Sequence, residues 1–343
     1  MNTKDRRSDK NKIKIRRFFE ENEYGTLPDK PEHLIAELIS ESREYAGGKA
    51  TIRRISITAQ FEGGKSFSFP IGYVRPNERS GKLPIFLHIC NTGELPNKFQ
   101  PTEEICDNGF GVITLNCENI TPDAAGFKTG VAPYLSCGRR KSDSFGKLML
   151  WTWAAMRVMD CVEKFSEIDA ERLAIVGHGI YGTVALLAGA YDERFKCVIA
   201  SSSGFSGAAD LSYSRGELYE LKTAKPYLFC PKYEKLIGKE PQLPYGKDAL
   251  LSLIAPRRLF IDTAAYDLSS APIGELSSFL KVLSAYDEEG VSVRNQINAT
   301  DPCEVLSLDG PLTLTGKSLC YRRRNGFPAL TREDWAAYMH FHS

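Results

Sequence analysis

The chain has 343 residues, of which 42% are hydrophobic, so it is long enough for one large α/β domain or two average ones. Its 44 basic and 43 acidic residues leave a net charge of +1, which argues against a general nucleic-acid-binding protein. No run approaches the roughly 20 apolar residues of a membrane span, and nothing resembles a signal peptide.

Basic residues cluster only at the N-terminus, where Asp5 and Asp9 interrupt them and no apolar face accompanies the first ten residues. We interpret residues 1–22 as a basic, solvated and partly frayed leader, with a binding arm as the alternative.

The nine cysteines are odd in number, widely spaced and without a C-x-x-C pair. This usage is typical of reduced cysteine that serves as small core filler, and it predicts a cytoplasmic protein. The five histidines lie near no cysteine pair, so we expect no metal site, and we expect no cofactor.

The predicted elements begin with two alternating, antiparallel strands over 51–61 and 67–74. Short apolar runs then predict strands buried on both faces of a parallel sheet. These runs cover 83–90, 111–117, 173–178, 197–203 and 259–264. Helical periodicity is found over 144–165, 181–191, 273–286 and from 331 toward the C-terminus.

Strands that alternate with helices predict a mostly parallel central sheet with helices on both faces, after an N-terminal antiparallel strand region. No linker divides the chain, so we expect a single α/β-hydrolase domain over 1–343. The Pro- and Gly-dotted stretches 203–246 and 291–316 are expected to cross the carboxyl edge of the sheet, where ligands bind in such folds.

The most informative stretch runs from Gly177 to Gly182, where a buried strand ends in a glycine-rich turn and a helix begins at once. This pattern is typical of the nucleophile elbow, G-x-S-x-G. The central position holds Gly179, which tolerates the strained backbone but offers no oxygen. The same residues match G-x-G-x-x-G, but a dinucleotide-binding fold needs that motif in its first βα unit, not halfway along the chain.

At this point the sequence resembles the α/β-hydrolase carbohydrate-esterase family that includes glucuronoyl esterases and relatives often labelled acetylxylan esterases. The resemblance extends over most of the chain and rests on separate blocks: Glu23-Tyr-Gly25, Trp151-Thr-Trp153, 168–173 before the elbow, Leu253-Ile-Ala-Pro-Arg257, Arg324-Asn-Gly326 and Asp334-Trp335. It implies the α/β-hydrolase fold and a family activity of carboxylic ester hydrolysis.

Against that family pattern, the catalytic positions are changed. The family elbow is G-x-S-R-x-G-K, and its serine, arginine and lysine positions hold Gly179, Ile180 and Thr183. The triad histidine falls at Pro328. The acid position after the preceding strand holds Asp267, which is either a vestige or a turn residue. We therefore expect none of Gly179, Asp267 and Pro328 to be catalytically competent, and we expect all three to lie at the carboxyl edge of the sheet.

The histidine count supports this expectation without the family. In this fold the triad runs in the order nucleophile, acid, histidine. No histidine occurs between Gly179 and Met339, and His340 and His342 lie beyond the final helical turn. Both the nucleophile and the base are therefore missing.

Other residues remain candidates for binding. Backbone amides at Ile180 and near Asn91 are candidate oxyanion-hole donors. His178 is a candidate ligand or acid, or a residue held in the sheet by hydrogen bonds. Lys247, in the segment that resembles the family's L-P-x-D-Q-H, is a further ligand-binding candidate.

Two charged segments are left open. Glu217 resembles the family's sugar-contacting glutamate, but a loop ion pair with the neighbouring Arg215 explains it equally well. We interpret Arg322-Arg-Arg324 as a strand end that faces solvent or the cleft, and not as a phosphate site.

Our leading hypothesis is a catalytically degenerate esterase homologue that binds a carbohydrate or uronic-acid ligand or a protein partner, with no nucleic acid and no membrane. The rival is an active ester hydrolase in which Cys90 or a strand-end serine among residues 201–203 works with His178. A third hypothesis is a structural subunit that supports an active paralogue.

Overall fold

A computed structural model of the protein describes residues 3–79, 81–95, 97–136, 139–214, 216–239, 242–267, 269–297, 304 and 311–343. For residues 3–8 and 217–219 the description covers the backbone alone.

These ranges form one ten-stranded sheet. In chain order its strands are β1 His33–Glu44, β2 Ala50–Phe61, β3 Lys65–Pro76, β4 Leu83–Cys90, β5 Gly111–Asn116, β6 Ile168–His178, β7 Cys197–Ser201, β8 Arg258–Ala264, β9 Leu312–Thr315 and β10 Leu319–Arg324.

The strands lie in the spatial order β1-β2-β3-β5-β4-β6-β7-β8-β10-β9. The stretch from β5 to β10 is parallel throughout, β1 to β3 pair antiparallel at one side, and β9 pairs antiparallel with β10 at the other. The predicted fold class is confirmed, including the N-terminal antiparallel region. β1 and β9 were not among the predicted strands.

Helices connect and cover the strands. In chain order they are α1 Thr3–Phe19, α2 Tyr45–Gly48, α3 Thr102–Asp107, α4 Ala132–Leu135, α5 Lys147–Val162, α6 Ile180–Tyr191, α7 Glu217–Ala224, α8 Lys247–Ser252, α9 Pro272–Val282, α10 Asp287–Arg294 and α11 Arg332–His342. None of these helices, within the described ranges, has the length and apolar character needed to cross a bilayer.

The parallel strands divide their side chains between two apolar cores. In β4, Ile85 and Leu87 join the larger core, whereas Phe86 between them joins a second core that contains Trp335 of α11. The rings of Phe86 and Trp335 lie 5.5 Å apart in an edge-to-face arrangement. Because both faces are covered, every residue of β4 is buried, which explains why all of them but His88 are apolar.

The cysteines are used as the sequence predicts. Seven of them are free and buried, including Cys197 in β7 and Cys320 in β10. Cys137 and Cys303 lie outside the described residues. Reduced cysteine as core filler is therefore confirmed for the part of the chain that the structure describes.

The N-terminal segment differs from the expected frayed leader. Residues 3–19 form α1, and Phe19 and Ile15 in its last turns are 1% and 4% exposed within the larger core. Arg16 Nε donates to the carbonyl oxygen of Ala190 at 2.9 Å, which attaches the helix to the end of α6. The structure corrects the expectation because these apolar side chains contact distant elements, and no local pattern reveals such contacts.

We expect Phe19→Ala to lower the free energy of unfolding by about 3–5 kcal/mol, because it removes a buried aromatic side chain. Ile13→Ala is the matched control on the same helix, since Ile13 is 61% exposed, and it should change stability by no more than about 0.5 kcal/mol. Urea denaturation of both variants measures the difference. Equal, near-zero effects would indicate a solvated leader.

Candidate functional site

The turn between β6 and α6 has the geometry of a nucleophile elbow. Gly179 separates the strand from the helix and has φ +60° and ψ −130°, a conformation that L-residues rarely adopt. A Cβ atom built on Gly179 would meet nothing within 4 Å. Position 179 therefore has room for a side chain. Glycine is favoured there because of its backbone conformation, and not because a side chain would clash with neighbouring atoms.

The flanking glycines have a different role. A Cβ on Gly177 would lie 2.1 Å from the carbonyl oxygen of Tyr181, and one on Gly182 would lie 3.0 Å from that of Ser201. Strand and helix approach too closely there for any side chain. The first and last glycines of the motif are thus required by packing, and the middle one by its dihedral angles.

The sheet topology places at one edge the three positions that the family resemblance matches to a catalytic triad. β6, β7, β8 and β10 are consecutive and parallel, and Gly179, Asp267 and Pro328 each follow the carboxyl end of one of these strands. The loops after β8 and β10 are joined directly, since the Tyr266 amide donates to the Gly326 carbonyl oxygen at 3.1 Å. Pro328 itself is exposed.

Asp267 is held by its own turn. Its Oδ1 accepts hydrogen bonds from the Ser269 hydroxyl at 2.7 Å and from the backbone amides of Ser269 and Ser270 at 3.2 and 3.1 Å. Its Oδ2 accepts from the Ser270 hydroxyl at 2.5 Å. These bonds are those of a turn residue, which is one of the two interpretations that the sequence left open.

A cavity of about 520 Å³ opens beside the elbow, a size within the usual range for small-molecule sites. Gly179 and Ile180 border it from the elbow, and α7 borders it through Glu220, Leu221 and Ala224. Hydroxyl-bearing side chains also line it, namely those of Ser202, Ser203, Ser206, Ser269 and Ser270. The stretch after β7 thus lies over the carboxyl edge as expected. The other stretch expected at this edge, 291–316, is described only in part, because residues 298–303 and 305–310 lie outside the described residues.

Ser202, the residue directly after β7, has a strained backbone. Its φ is +47°, its amide donates to the Asp262 carbonyl oxygen at 2.7 Å, and its carbonyl oxygen accepts from the Ser270 hydroxyl at 2.9 Å. The Ser202 hydroxyl makes no hydrogen bond to any described residue, although it lines the cavity. Non-glycine residues at positive φ cluster at functional sites, where neighbouring contacts compensate a cost of about 1–3 kcal/mol.

A buried carboxyl group that the sequence did not indicate supports this wall. Glu275 on α9 is fully buried, and its Oε1 accepts from the Gly204 amide at 2.9 Å and the Ser203 hydroxyl at 3.1 Å. Burial, with a smaller contribution from the charge of Asp267, raises the pKa of Glu275 to about 8. The group is therefore mainly protonated at neutral pH and adds little charge to the wall.

His178 is held in the sheet. Its Nδ1 lies 3.0 Å from the Ser201 hydroxyl, which is only 2% exposed, and neither residue lines the cavity. Burial lowers the pKa of His178, and the charges of Asp267 and Asp334 partly offset this effect. The imidazole is thus a partner of a neighbouring strand, which is one of the two roles the sequence left open.

Lys247 is not free to bind a ligand in the cavity, which corrects the sequence expectation. It is 1% exposed, forms an ion pair with Glu23 and donates to the Tyr24 hydroxyl at 2.8 Å. Burial lowers the pKa of Lys247, while the Glu23 carboxylate opposes that shift. Its place in the fold is to join the start of α8 to the segment after α1. The Glu217 side chain and residue 215 lie outside the described residues.

Two of the arginines at the end of β10 also form ion pairs within the fold. Arg322 Nε donates to Asp262 Oδ1 at 2.9 Å, and Arg322 also pairs with Asp334, which Arg324 contacts at 3.0 Å. Tyr338 donates to Asp262 at 2.6 Å. Arg322 is buried, so the expectation that this strand end faces solvent or the cleft does not hold for it.

The two proposed oxyanion donors differ in position. Ile180 is the first residue of α6 and lines the cavity, so its amide lies where an intrahelical acceptor is lacking. Asn91 follows β4, and the pairing of Ile89 with Gly177 puts it level with Gly179, but it does not line the cavity. Among the described residues no group of three His, Cys, Asp or Glu side chains is arranged to hold a metal ion.

Comparison with known proteins gives consistent matches. A family model for fungal glucuronyl esterase matches residues 57–286. A carbohydrate esterase of an unknown prokaryotic organism is 25% identical, and the alignment covers 97% of this chain and 84% of that protein. A 4-O-methyl-glucuronoyl methylesterase of Hypocrea jecorina is 28% identical over 70% of this chain, and the match spans 49% of that protein, about half its length.

Among solved structures, a glucuronoyl esterase from Solibacter usitatus superimposes with a TM-score of 0.84 at 26% identity, covering 96% of this chain and 91% of that one. The resemblance predicted from the sequence blocks is confirmed, since the family model covers more than half of the chain. The chain belongs to the glucuronyl esterase family of α/β-hydrolase carbohydrate esterases.

Proposed function

We propose that this protein binds a carbohydrate ligand in the cavity beside the elbow and does not hydrolyse it. The observation that carries the proposal is the cavity itself, which is built around the nucleophile position and has Gly179 there. No histidine is among the described residues that line it. Ester hydrolysis through a triad needs an attacking oxygen and a base that takes its proton.

Some transition-state stabilisation remains possible without a triad. The Ile180 amide borders the cavity at the N-terminus of α6, where backbone donors and the helix dipole favour negative charge. In triad enzymes, binding and the oxyanion hole alone give roughly 10³–10⁴-fold over water. A rate of that size is hard to distinguish from background hydrolysis of an activated ester.

The rival, an unorthodox hydrolase, has one observation in its favour and several against it. The Ser201 hydroxyl and His178 Nδ1 are 3.0 Å apart, as in a nucleophile–base pair. However, Ser201 is 2% exposed and does not line the cavity. Cys90 is 4% exposed, and burial raises the pKa of its thiol to about 11, which disfavours the reactive thiolate. These positions support packing rather than catalysis.

For the location of the protein we propose a reducing compartment, the cytoplasm. The support comes from the seven cysteines of the described residues, all of which are buried and unpaired.

We expect the purified protein to show no saturable hydrolysis of nitrophenyl acetate or of a glucuronic acid methyl ester, because no hydroxyl occupies position 179. Ser201→Ala and His178→Ala should leave the background rate unchanged. Initial rates over a range of substrate concentrations test this. Saturable turnover that Ser201→Ala abolishes would establish the rival.

Partial repair of the triad is a second test. Gly179→Ser has room for its side chain, although serine in this backbone conformation costs about 1–3 kcal/mol. Pro328→His places an imidazole on an exposed loop near Asp267, at a further cost of roughly 0.4–1 kcal/mol. Because triad members act as a unit, the double variant should exceed both single variants on a small activated ester.

The control for the repair is Gly179→Ala with Pro328→His, which has the same backbone strain and the same imidazole but no nucleophile. We expect it to remain at background. If the serine double variant is equally inactive, the cleft has been remodelled beyond these two positions, and the vestigial-site interpretation fails.

The buried carboxyl group predicts a pH dependence of stability. Glu275 ionises near pH 8 in the folded protein and near its ordinary value of 4.5 in the unfolded chain. Between these values the folded state holds a proton that the unfolded state has lost, so stability falls as pH rises, by at most about 1.4 kcal/mol per pH unit.

Glu275→Gln should flatten the stability profile between pH 5 and 8, as measured by urea denaturation. Glu220→Gln is the control, because Glu220 is an exposed carboxylate and its removal should leave the profile unchanged. A wild-type profile that already matches that of Glu275→Gln would contradict this account of the wall.

A further inference from the structure

Helix α1 is far more basic than the rest of the chain. Its sequence contains eight basic and two acidic residues, whereas the whole chain has a net charge of +1, so the remainder of the chain is acidic overall. Such a concentration of like charge in one element indicates either a solvated surface or a partner of opposite charge. The contacts of the helix distinguish between these two roles.

One face of α1 is attached to the body of the protein. Ile15 and Phe19 are buried in the larger core. Lys12 and Arg16 lie 3.8 and 3.6 Å from the Glu193 carboxylate. These contacts fix the rotation of the helix about its own axis, so the opposite face is directed to solvent before any partner arrives. Binding through that face would not include the cost of ordering the helix.

The opposite face presents a row of cations. Lys10, Lys14 and Arg17 follow one another at intervals of four and three residues, which places them on one side of the helix, and all three are exposed. Lys10 and Lys14 form no ion pair with any residue whose side chain the structure describes. Arg17 contacts Glu21 at 2.6 Å, but both side chains are exposed, so this pair is weak. Asp9 lies at the side of the row, which keeps a net positive charge.

An apolar side chain lies within the same row. Ile13 is 61% exposed, directly precedes Lys14 and lies one turn before Arg17. A soluble polyanion offers isoleucine no apolar contact. At a lipid bilayer, by contrast, isoleucine enters the boundary between headgroups and acyl chains while neighbouring lysines stay at the level of the phosphates. Ile13 therefore favours a bilayer over a glycan or a nucleic acid as the partner of this face.

From this arrangement we propose that the exposed face of α1 binds the surface of a bilayer that contains anionic lipids, with Lys10, Lys14 and Arg17 at the headgroups and Ile13 inserted between them. The cytoplasmic leaflet is anionic, which agrees with the proposed location of the protein. The proposal develops the binding-arm interpretation of residues 1–22 and replaces the expectation that the protein has no membrane partner.

Cosedimentation of the full chain with vesicles tests the proposal. A two-to-one mixture of phosphatidylcholine and phosphatidylserine should bind the protein at least tenfold more strongly than phosphatidylcholine alone. Raising the NaCl concentration from about 0.05 M to about 0.5 M should weaken binding to the mixed vesicles at least tenfold, because salt screens exposed charges. Absence of binding to the mixed vesicles at low salt would overturn the proposal.

Two double variants locate the binding surface. Lys10→Glu with Lys14→Glu should weaken binding to the mixed vesicles at least tenfold, because it reverses the charge of the row. Lys65→Glu with Lys82→Glu is the matched control, since both lysines are exposed outside α1 and the change in net charge is the same. Urea denaturation confirms that both variants fold. Equal loss of binding in the two would show that net charge, and not α1, controls binding, and would contradict the proposal.

Ile13→Trp measures insertion directly. The three native tryptophans are fully buried, so lipids with brominated acyl chains should quench only the new residue. We expect strong quenching in brominated mixed vesicles. Polygalacturonate and double-stranded DNA should cause no comparable change in its emission. If these polymers bind through Lys10 and Lys14 while the bilayer causes no quenching, the partner is a soluble polyanion, and the lipid proposal fails.

Discussion

Helix α6 begins one residue after β6 ends because no side chain separates strand and helix at Gly177 and Gly182. That close approach forces the chain to reverse within a single residue and gives Gly179 its positive φ. It also directs the free amides at the start of α6 toward the carboxyl edge of the sheet. The constraint depends on the flanking glycines, so the elbow keeps its shape without a nucleophile.

The neighbouring edge is held by buried charge. Asp262 in β8, Arg322 in β10 and Asp334 in α11 form one ion-pair cluster, which Tyr338 completes by donating to Asp262. Removal of one partner from such a cluster leaves an uncompensated buried charge and is strongly destabilising. The cluster fixes the ends of the two strands whose following loops contain Asp267 and Pro328. Its arginines are therefore committed to the framework and contribute no cation to the cavity.

These two features together position the elbow and the strand ends beside the cavity. The elbow and the sheet edge depend on packing and on buried pairs, and neither requires a side chain at position 179. Asp267 in turn holds Ser269 and Ser270 of the cavity lining. The hydroxyl-rich wall depends on Glu275, which stays largely uncharged because it is buried. Serine hydroxyls and the Glu220 carboxylate are the polar side chains among the described residues that border the cavity.

The sequence by itself determined the central architecture. A parallel strand covered on both faces must be apolar at nearly every position, and the runs over 83–90 and 173–178 show this directly. The glycine-rich elbow and the lack of a histidine between Gly179 and Met339 were equally visible, since each is a property of local sequence or of simple order along the chain.

Only the tertiary structure decided which polar residues face the cavity and which serve the fold. Lys247 meets Glu23, 224 positions away, and Glu275 meets Ser203, 72 positions away. β1 escaped prediction because, as an exposed edge strand, it has no buried face to produce an alternating pattern. Local sequence shows the periodicity of apolar residues and the positions that need glycine. The partner of a buried charge depends on contacts between segments that are distant in sequence, and these contacts form only when the chain folds.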